Sequence, residues 1–414
     1  MTKLTLGIIG GGQLGSMLAT AAKKLKIRTV VFCDDIEAPA QKFSDEFVYG
    51  RYDDQNKINE FLSKADVITF EFENIPYKTL NEINKKKTVL PKPSVNRIIQ
   101  HRLAEKDFIN KFNIRTTQYV SIENKSEMDT VQNLLPGLLK TTTLGYDGKG
   151  QHIINSIEDL NQLSIDFSKG YILEKLVKLK KEISVIITRF GPKEYEVYDP
   201  IENVHEDQIL KYSKIPAEIN INLFNKSKEW AKYISEELNY IGTMCVEYFI
   251  DKNENLYVNE IAPRVHNSGH LTINAYNVSQ FENHIRAVCG LNKVETKKLY
   301  NAKMINLIGE DILVYRNKKF QDNDIEIIGI SPDDVESHKK FCTKMGIKYV
   351  LLSDVEKEVS KAFGVWDMKK FMGREYMGVI RSTFLANEKG KIFKIYSKVK
   401  PKGHAKQVLE DFTK

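Results

Sequence analysis

Apolar and polar positions alternate in blocks along the first third of the chain. Residues 4–9 form a short β-rich apolar run, and beyond a cluster of glycines Leu14, Met17, Leu18, Ala21, Ala22 and Leu25 recur at helical spacing. Apolar runs at 28–33 and 66–72 continue the pattern. The first hundred residues therefore read as strand and helix in alternation, the order of an open parallel α/β sheet. Residues 93–112 carry a helical pattern through Ile98, Ile99, Leu103 and Phe108. Apolar runs follow at 137–140, 171–177 and 182–188, then helices at 226–238 and 279–289. Between those two helices, two apolar runs flank Asp251-Lys252-Asn253-Glu254-Asn255, a polar five that predicts the turn of a β-hairpin.

The hairpin carries the densest chemistry. A turn centred between Asn253 and Glu254 sets Glu247 directly across from Glu260. Like charges opposed on adjacent strands destabilise a sheet, whereas a hard divalent cation between them, with nucleotide phosphates completing its shell, suits Mg²⁺. The alternative is an exposed hairpin bearing two solvated glutamates. Behind Glu260, the residues Arg264, His266, Asn267, Ser268 and His270 crowd around Gly269. Loops of this kind, hung from a rigid strand, are where sites are built.

Other stretches point to phosphate. Gly10-Gly11-Gly12-Gln13-Leu14-Gly15 fits G-x-G-x-x-G, with Asp34 and Asp35 about twenty residues on. The backbone N–H groups and helix start at such a turn suit any phosphate-bearing ligand. A nicotinamide oxidoreductase would use the turn but leaves Lys140, the 145–150 loop and the glutamate pair without a role. The 66–72 run leads into Glu73 before Pro76, placed either to bond a sugar hydroxyl or to cap the start of a helix. Lys106 lies on the 93–112 helical pattern. Lys140 ends a strand that opens into a loop with Gly145, Gly148 and Gly150, a glycine cover with lysine counter-charge for polyphosphate that lacks the Walker order. The 171–177 strand, with Glu174, Lys175 and Val177, is placed to present backbone groups to a purine, and Glu182 to take ribose hydroxyls. Both acids read equally as ordinary strand-end residues.

Composition narrows the setting. The 414 residues are 42% hydrophobic and 28% charged, as in soluble globular chains of two to four domains. The net charge of +7 comes from scattered lysines, so no nucleic-acid arm is expected. Cys33, Cys245, Cys289 and Cys342 show neither a disulfide framework nor metal-ligand spacing, and Cys245 and Cys289 lie in apolar surroundings. Without a long apolar span or signal-like start, a cytoplasmic protein away from membranes is expected.

Over residues 1 to about 315 the chain resembles the 5-(carboxyamino)imidazole ribonucleotide synthetases, ATP-grasp enzymes of purine biosynthesis. The resemblance rests on the Gly10–Gly15 turn, Phe70-Glu71-Phe72-Glu73-Asn74, the 145–151 loop and the run 259–270, in that family's order and spacing. It implies ATP and Mg²⁺, with Lys106 and Lys140 on phosphates, the 174–177 strand and Gly145, Gly148 and Gly150 around the nucleotide, Glu182 on the ribose, and Glu247 and Glu260 on the metal. It implies further that Gly12, Gln13, Leu14, Glu73, Tyr146, Asn267 and Ser268 hold aminoimidazole ribonucleotide and bicarbonate, with Lys149, Arg264 and His270 at the reacting centre. The family commonly has arginine where this chain has Lys149, which keeps charge but loses bidentate geometry. A homodimer is implied as well. The expected fold is α/β and α+β: an N-terminal open parallel α/β domain over 1–100, an ATP-grasp pair over 101–295 with a small subdomain near 114–172, and a truncated cap and junction over 296–323.

From about Asp324 the sequence resembles the C-terminal half of a bacterioferritin-comigratory-type peroxiredoxin, a partial thioredoxin-like fragment. Its landmarks are residues 325–341 with Ser331 and His338, the run Leu352-Ser353-Asp354, and the stretch 376–384 with Arg381. The family's peroxidatic cysteine is absent, and the half-domain is expected to have an unpaired edge and an open apolar face. An impaired fusion that still binds ATP, its tail serving as an interaction surface, is the alternative function. Peroxidase chemistry needs an activated thiolate. The purified chain is therefore expected not to reduce hydroperoxides with a dithiol donor, and sustained turnover abolished by Cys342→Ser would overturn this.

Overall fold

A computed structural model of the chain describes residues 4–124, 127, 131–143, 150–163, 165–206, 208–307, 325–345, 347, 349–371, 374–401 and 403–412. They fall into two units, Met1–Asn306 and Leu307–Lys414.

The first unit holds three sheets. Strands β1 (Thr5–Ile9), β2 (Arg28–Cys33), β3 (Glu46–Tyr49) and β4 (Val67–Phe70) pair in parallel in the order β3-β2-β1-β4. Their apolar runs are continuous because helices cover both faces. Leu18, Ala21 and Ala22 of the helix Gln13–Lys24 pack on one side, and Ile58, Phe61 and Leu62 of the helix Gln55–Lys64 on the other. The parallel α/β expectation holds.

Strands β5 (Tyr119–Ile122), β6 (Gly137–Thr141), β7 (Gln151–Ile154) and β8 (Tyr171–Lys175) form an antiparallel sheet, order β5-β8-β6-β7. The largest sheet runs β14-β13-β9-β11-β12-β15, with β10 (Glu194–Val197) on the side of β9. Its strands are β9 (Leu179–Gly191), β11 (Ile201–Glu206), β12 (Ile209–Ile215), β13 (Gly242–Asp251), β14 (Leu256–Ala262) and β15 (Ala302–Ile305). The helix Ile221–Glu237 buries Leu223, Ala231 and Ile234 in one core with Ile183, Val185 and Val246.

The helix Gln280–Val288 joins the first and third sheets. Phe281, Ile285 and Val288 share a core with Leu18 and Ala22. His284 accepts the Thr243 amide at 3.0 Å through Nδ1 and sits 2.8 Å from Thr69 Oγ1 through Nε2. Burial lowers its pKa to about 3, so it is a neutral pin between β4 and β13.

In the second unit β16 (Ile328–Ser331) and β17 (Val350–Ser353) pair in parallel, and β18 (Trp366–Phe371) with β19 (Arg374–Val379), and β20 (Thr383–Ala386) with β21 (Ile392–Tyr396), antiparallel. His338 sits 2.7 Å from Ser331 Oγ and 3.2 Å from Ser353 Oγ, pinning the helix Val335–Met345 to β16 and β17. These landmarks are structural here. Each sheet has two strands among the described residues, too few for independent stability in water. Ile328, Ile330, Val350 and Leu352 are 41–52% exposed, while Leu385 and Val408 are buried. Among the described residues these side chains form the kind of open apolar face expected for this region. No described helix is long and apolar enough to cross a membrane. Opening free energies follow buried contact, so amides of β9 and β13 are expected to exchange with deuterium far more slowly than those of β16–β21; equal protection would contradict this account.

Candidate active site

The hairpin sets Glu247 opposite Glu260, as expected. The turn itself is centred one half-residue earlier, since Ile250 pairs with Leu256 and Tyr248 with Val258. A bulge at Asn259 then shifts the register and brings the two glutamates level. Asp251 fixes the turn by accepting the amides of Asn253 and Asn255, both at 2.8 Å. Burial, then the charge of Glu260, pushes the Glu247 carboxyl up to about 8. Arg102 lies 3.6 Å from Glu260, and His266 Nε2 lies 3.2 Å from Glu247 Oε1. Glu182 pairs with His205 at 2.5 Å on the same sheet; burial opposes the charged imidazole, but Glu182 outweighs it and raises its pKa.

A second cluster surrounds Glu174. Lys106 and Lys140 lie 3.2 Å from its two oxygens, and Thr117 donates at 3.0 Å. Burial would raise this carboxyl, yet the two ammonium groups drive it down to about 2. Lys106, 2% exposed, is itself lowered by burial. Through its side chain Glu174 is thus the counter-ion of the two phosphate-seeking lysines, a role the sequence reading did not assign. Its strand leaves backbone groups for a base, with Lys175 exposed and Val177 half-buried.

One helix ties both clusters together. Along Arg102–Lys111, Arg102 reaches Glu260, Glu105 accepts the Ile261 amide at 2.6 Å, and Lys106 reaches Glu174. Burial, then Glu260, raises Glu105 to about 8.

The Gly10–Gly15 turn departs from expectation. Glu71 accepts the Gly12 amide at 2.6 Å and the Gly15 amide at 2.7 Å, so the donors offered to a ligand's phosphate are held by the chain's own carboxylate. Gly10 has φ +98°, and a Cβ there would stand 2.6 Å from Glu71 Cγ. Leu14 is half-buried and packs against the core, whereas Gln13 is exposed at the helix start. Glu73 neither caps a helix nor stands free for a sugar. It pairs at two points with Arg264, one of them Nη2 to Oε1 at 3.0 Å. Burial opposes its charge, but Arg264 holds its carboxyl below the usual range.

The 264–270 loop is clamped by Gln280, which accepts the His266 amide at 2.9 Å and donates to the His266 carbonyl at 2.7 Å. Gly269 lies so close that a Cβ would be 2.4 Å from Gln280 Oε1. Ser268 Oγ sits 2.9 Å from His266 Nδ1 and 2.8 Å from Ser184 Oγ, and Asn267 opens the short 3₁₀ turn. His270 stacks on Phe281 with ring centroids 5.5 Å apart, and its buried Nε2 has no partner. Burial, then Arg264, lowers His270 to about 4, leaving it neutral near pH 7. Gly145, Tyr146, Gly148 and Lys149 lie outside the described residues; Gly150 has φ +71° and leads into β7. Glu71, Glu105, Ser184 and Gln280 escaped the sequence reading because their partners are 14 to 156 positions away.

Known proteins resemble this chain in sequence and fold. The ribonucleotide synthetase preATP-grasp domain matches residues 1–100, the ATP-grasp domain residues 107–281, and the AhpC/TSA family residues 313–395. The N5-carboxyaminoimidazole ribonucleotide synthase of Staphylococcus aureus (strain COL) is 36% identical over 357 residues, 85% of this chain and 93% of the relative. The chain belongs to the N5-carboxyaminoimidazole ribonucleotide synthase family. A Brucella melitensis member is 38% identical over 74% of this chain and 86% of its own. Among solved structures, the Staphylococcus aureus synthetase complexed with ADP has a TM-score of 0.73 at 36% identity, covering 78% of this chain and 87% of that one. The Aspergillus clavatus enzyme in complex with ADP and 5-aminoimidazole ribonucleotide has a TM-score of 0.69 at 27% identity, covering 76% and 86%. The chain is an ATP-grasp ligase with a peroxiredoxin-like tail. The match to the strain COL relative runs past Asn306 into the stretch the AhpC/TSA family also takes, and loss of the cap stays an expectation from sequence.

Removing one partner of a buried ion pair leaves the rest uncompensated. Glu174→Gln is expected to cost roughly 3 kcal/mol or more in urea unfolding at neutral pH. Because the native carboxyl is lowered to about 2, the native chain should lose this contribution as pH falls from the ordinary carboxyl range toward that value, and the variant should not. Equal acid sensitivity of the two would contradict it.

Proposed function

We propose that this chain carboxylates 5-aminoimidazole ribonucleotide with bicarbonate at the expense of ATP, giving 5-(carboxyamino)imidazole ribonucleotide in purine biosynthesis. The observation that carries it is the facing pair Glu247 and Glu260, backed by membership of the family. A bicarbonate oxygen takes the γ-phosphoryl group, releasing ADP and forming carboxyphosphate. The exocyclic amine then attacks the carboxyl carbon as inorganic phosphate leaves, and the nitrogen loses a proton.

The donor set fits a hard cation, with two hard-oxygen carboxylates opposed across paired strands and one of them pushed up to about 8. Glu247 and Glu260 would hold Mg²⁺, which when bound neutralises charge on the transferred phosphoryl group. Lys106 and Lys140 set two ammonium groups against the single Glu174 carboxylate, leaving net positive charge toward the nucleotide phosphates. Glu182 is reserved for the ribose. Arg264, held by Glu73, meets anionic substrate already oriented. Neutral His270, its buried Nε2 without a hydrogen-bond partner among the described residues, stands near the Arg264 charge. The complex of the Aspergillus clavatus relative supports ADP and aminoimidazole ribonucleotide as ligands. Bicarbonate, Mg²⁺, a homodimer and a cytoplasmic location belong to the proposal. A second reading, in which ATP binds without turnover and the tail serves as an interaction surface, is favoured by the exposed apolar residues of β16 and β17.

ATP hydrolysis measured with Mg²⁺ and bicarbonate is expected to rise several-fold on adding aminoimidazole ribonucleotide, and to lose that rise in Glu260→Ala. Bound ATP without stimulation would favour the second reading. Below the raised pKa of Glu247 the cation must displace a proton, so thermal stabilisation by Mg²⁺ should be larger at about pH 8.5 than at about pH 6.5. The cation-free chain should lose stability over that interval, because its buried carboxyl is forced to ionise. A Mg²⁺ shift independent of pH would count against these ligands.

A further inference from the structure

We propose that Cys245, Glu247 and His266 form a second cation site at the inner end of the hairpin, one that takes a thiophilic divalent ion of the zinc type. The Cys245 thiol, a Glu247 carboxylate oxygen and a His266 ring nitrogen all lie within 4.8 Å of one another. Cys245 and Glu247 are two apart on β13 and so share one face of the strand. His266 arrives from the loop behind β14 with Nε2 3.2 Å from Glu247 Oε1. Sulfur, carboxylate oxygen and imidazole nitrogen together suit zinc better than magnesium, and three protein ligands leave a fourth position for water.

The surroundings hold the imidazole for this use. Its other nitrogen, Nδ1, lies 2.9 Å from Ser268 Oγ, which lies 2.8 Å from Ser184 Oγ, itself bonded by Asn203 Nδ2 at 2.9 Å. Outer partners of this kind set the ring orientation of metal-binding histidines. The thiol is fully buried, whereas Glu247 and His266 are each 15% exposed at the side chain, so an ion arrives from their side. The ligand atoms then draw in by about 1 Å to reach tetrahedral spacing. The thiol proton leaves to solvent as the sulfur binds.

Glu247 belongs to both sites. A zinc-type ion therefore draws it away from Glu260 and opposes turnover, a consequence that rests on the reading of Glu247 and Glu260 as the ligands of the nucleotide's cation. The site itself does not depend on that reading. Cobalt(II) added to the full-length chain without nucleotide should give a thiolate-to-cobalt absorption band in the near ultraviolet. The band should vanish in Cys245→Ala and persist in Cys342→Ala. A chain keeping Cys245 as its sole thiol should retain it, which decides the matter even where Cys245→Ala fails to fold. Zn²⁺ should inhibit the substrate-stimulated ATP hydrolysis at saturating Mg²⁺, with potency falling about tenfold or more in Cys245→Ala. Absence of the band in the native chain or the sole-thiol chain, its survival in Cys245→Ala, or equal zinc potency in a folded Cys245→Ala chain overturns the proposal. Should hydrolysis show no stimulation, the proposed function fails while the cobalt spectrum still decides the site.

Discussion

Two carboxylates facing each other across paired strands are a standing electrostatic cost, and the surrounding first unit is arranged to keep that cost in place. Glu247 sits on a central strand between β9 and β14, so its backbone has no freedom to turn the side chain away. The Asn259 bulge brings Glu260 level with it. Arg102 and the neutral His266 approach but leave the pair short of positive charge, which the raised Glu247 records. A binding site for a cation is in this sense a sheet that is incomplete without one.

The helix Arg102–Lys111 makes that deficit part of a larger circuit. It carries Arg102, Glu105 and Lys106 within five positions, and each meets a different strand group. Through Lys106 it reaches Glu174, where two lysines share one acid. Buried ion pairs of this kind add little net stability, because desolvation offsets attraction. Their effect is positional: Glu174 fixes two ammonium groups at the β5-β8-β6-β7 sheet and leaves charge over. Glu71 does similar work inside the Gly10–Gly15 turn, satisfying amides that would otherwise await a ligand.

The two units differ in what their sheets can bury. The first has sheets of four, four and seven strands with continuous cores. The second has pairs of strands with Ile328, Ile330, Phe393 and Ile395 exposed. That contrast lies in the part of the chain matched by the AhpC/TSA family, residues 313–395. Ser331, His338 and Asp354 hydrogen-bond strands to helices there.

Local periodicity settled much of this protein in advance. The parallel α/β start and the hairpin were legible because each depends on residues within a few positions or on runs of fixed period, whereas the peroxiredoxin-like tail was read from its resemblance to a family, and the Asn259 bulge that levels the two glutamates had no such local signal. Tertiary structure alone decided which charges meet. Glu174 gained Lys106 and Lys140 as side-chain partners, Glu73 became the partner of Arg264, and Glu71 filled a turn that read as open. Cys245 likewise met His266 only when β14 and its loop folded back on β13. The physical reason is common to the three carboxylates: a buried charge takes whichever partner the packing brings within about 3 Å, and that partner lies anywhere along the chain.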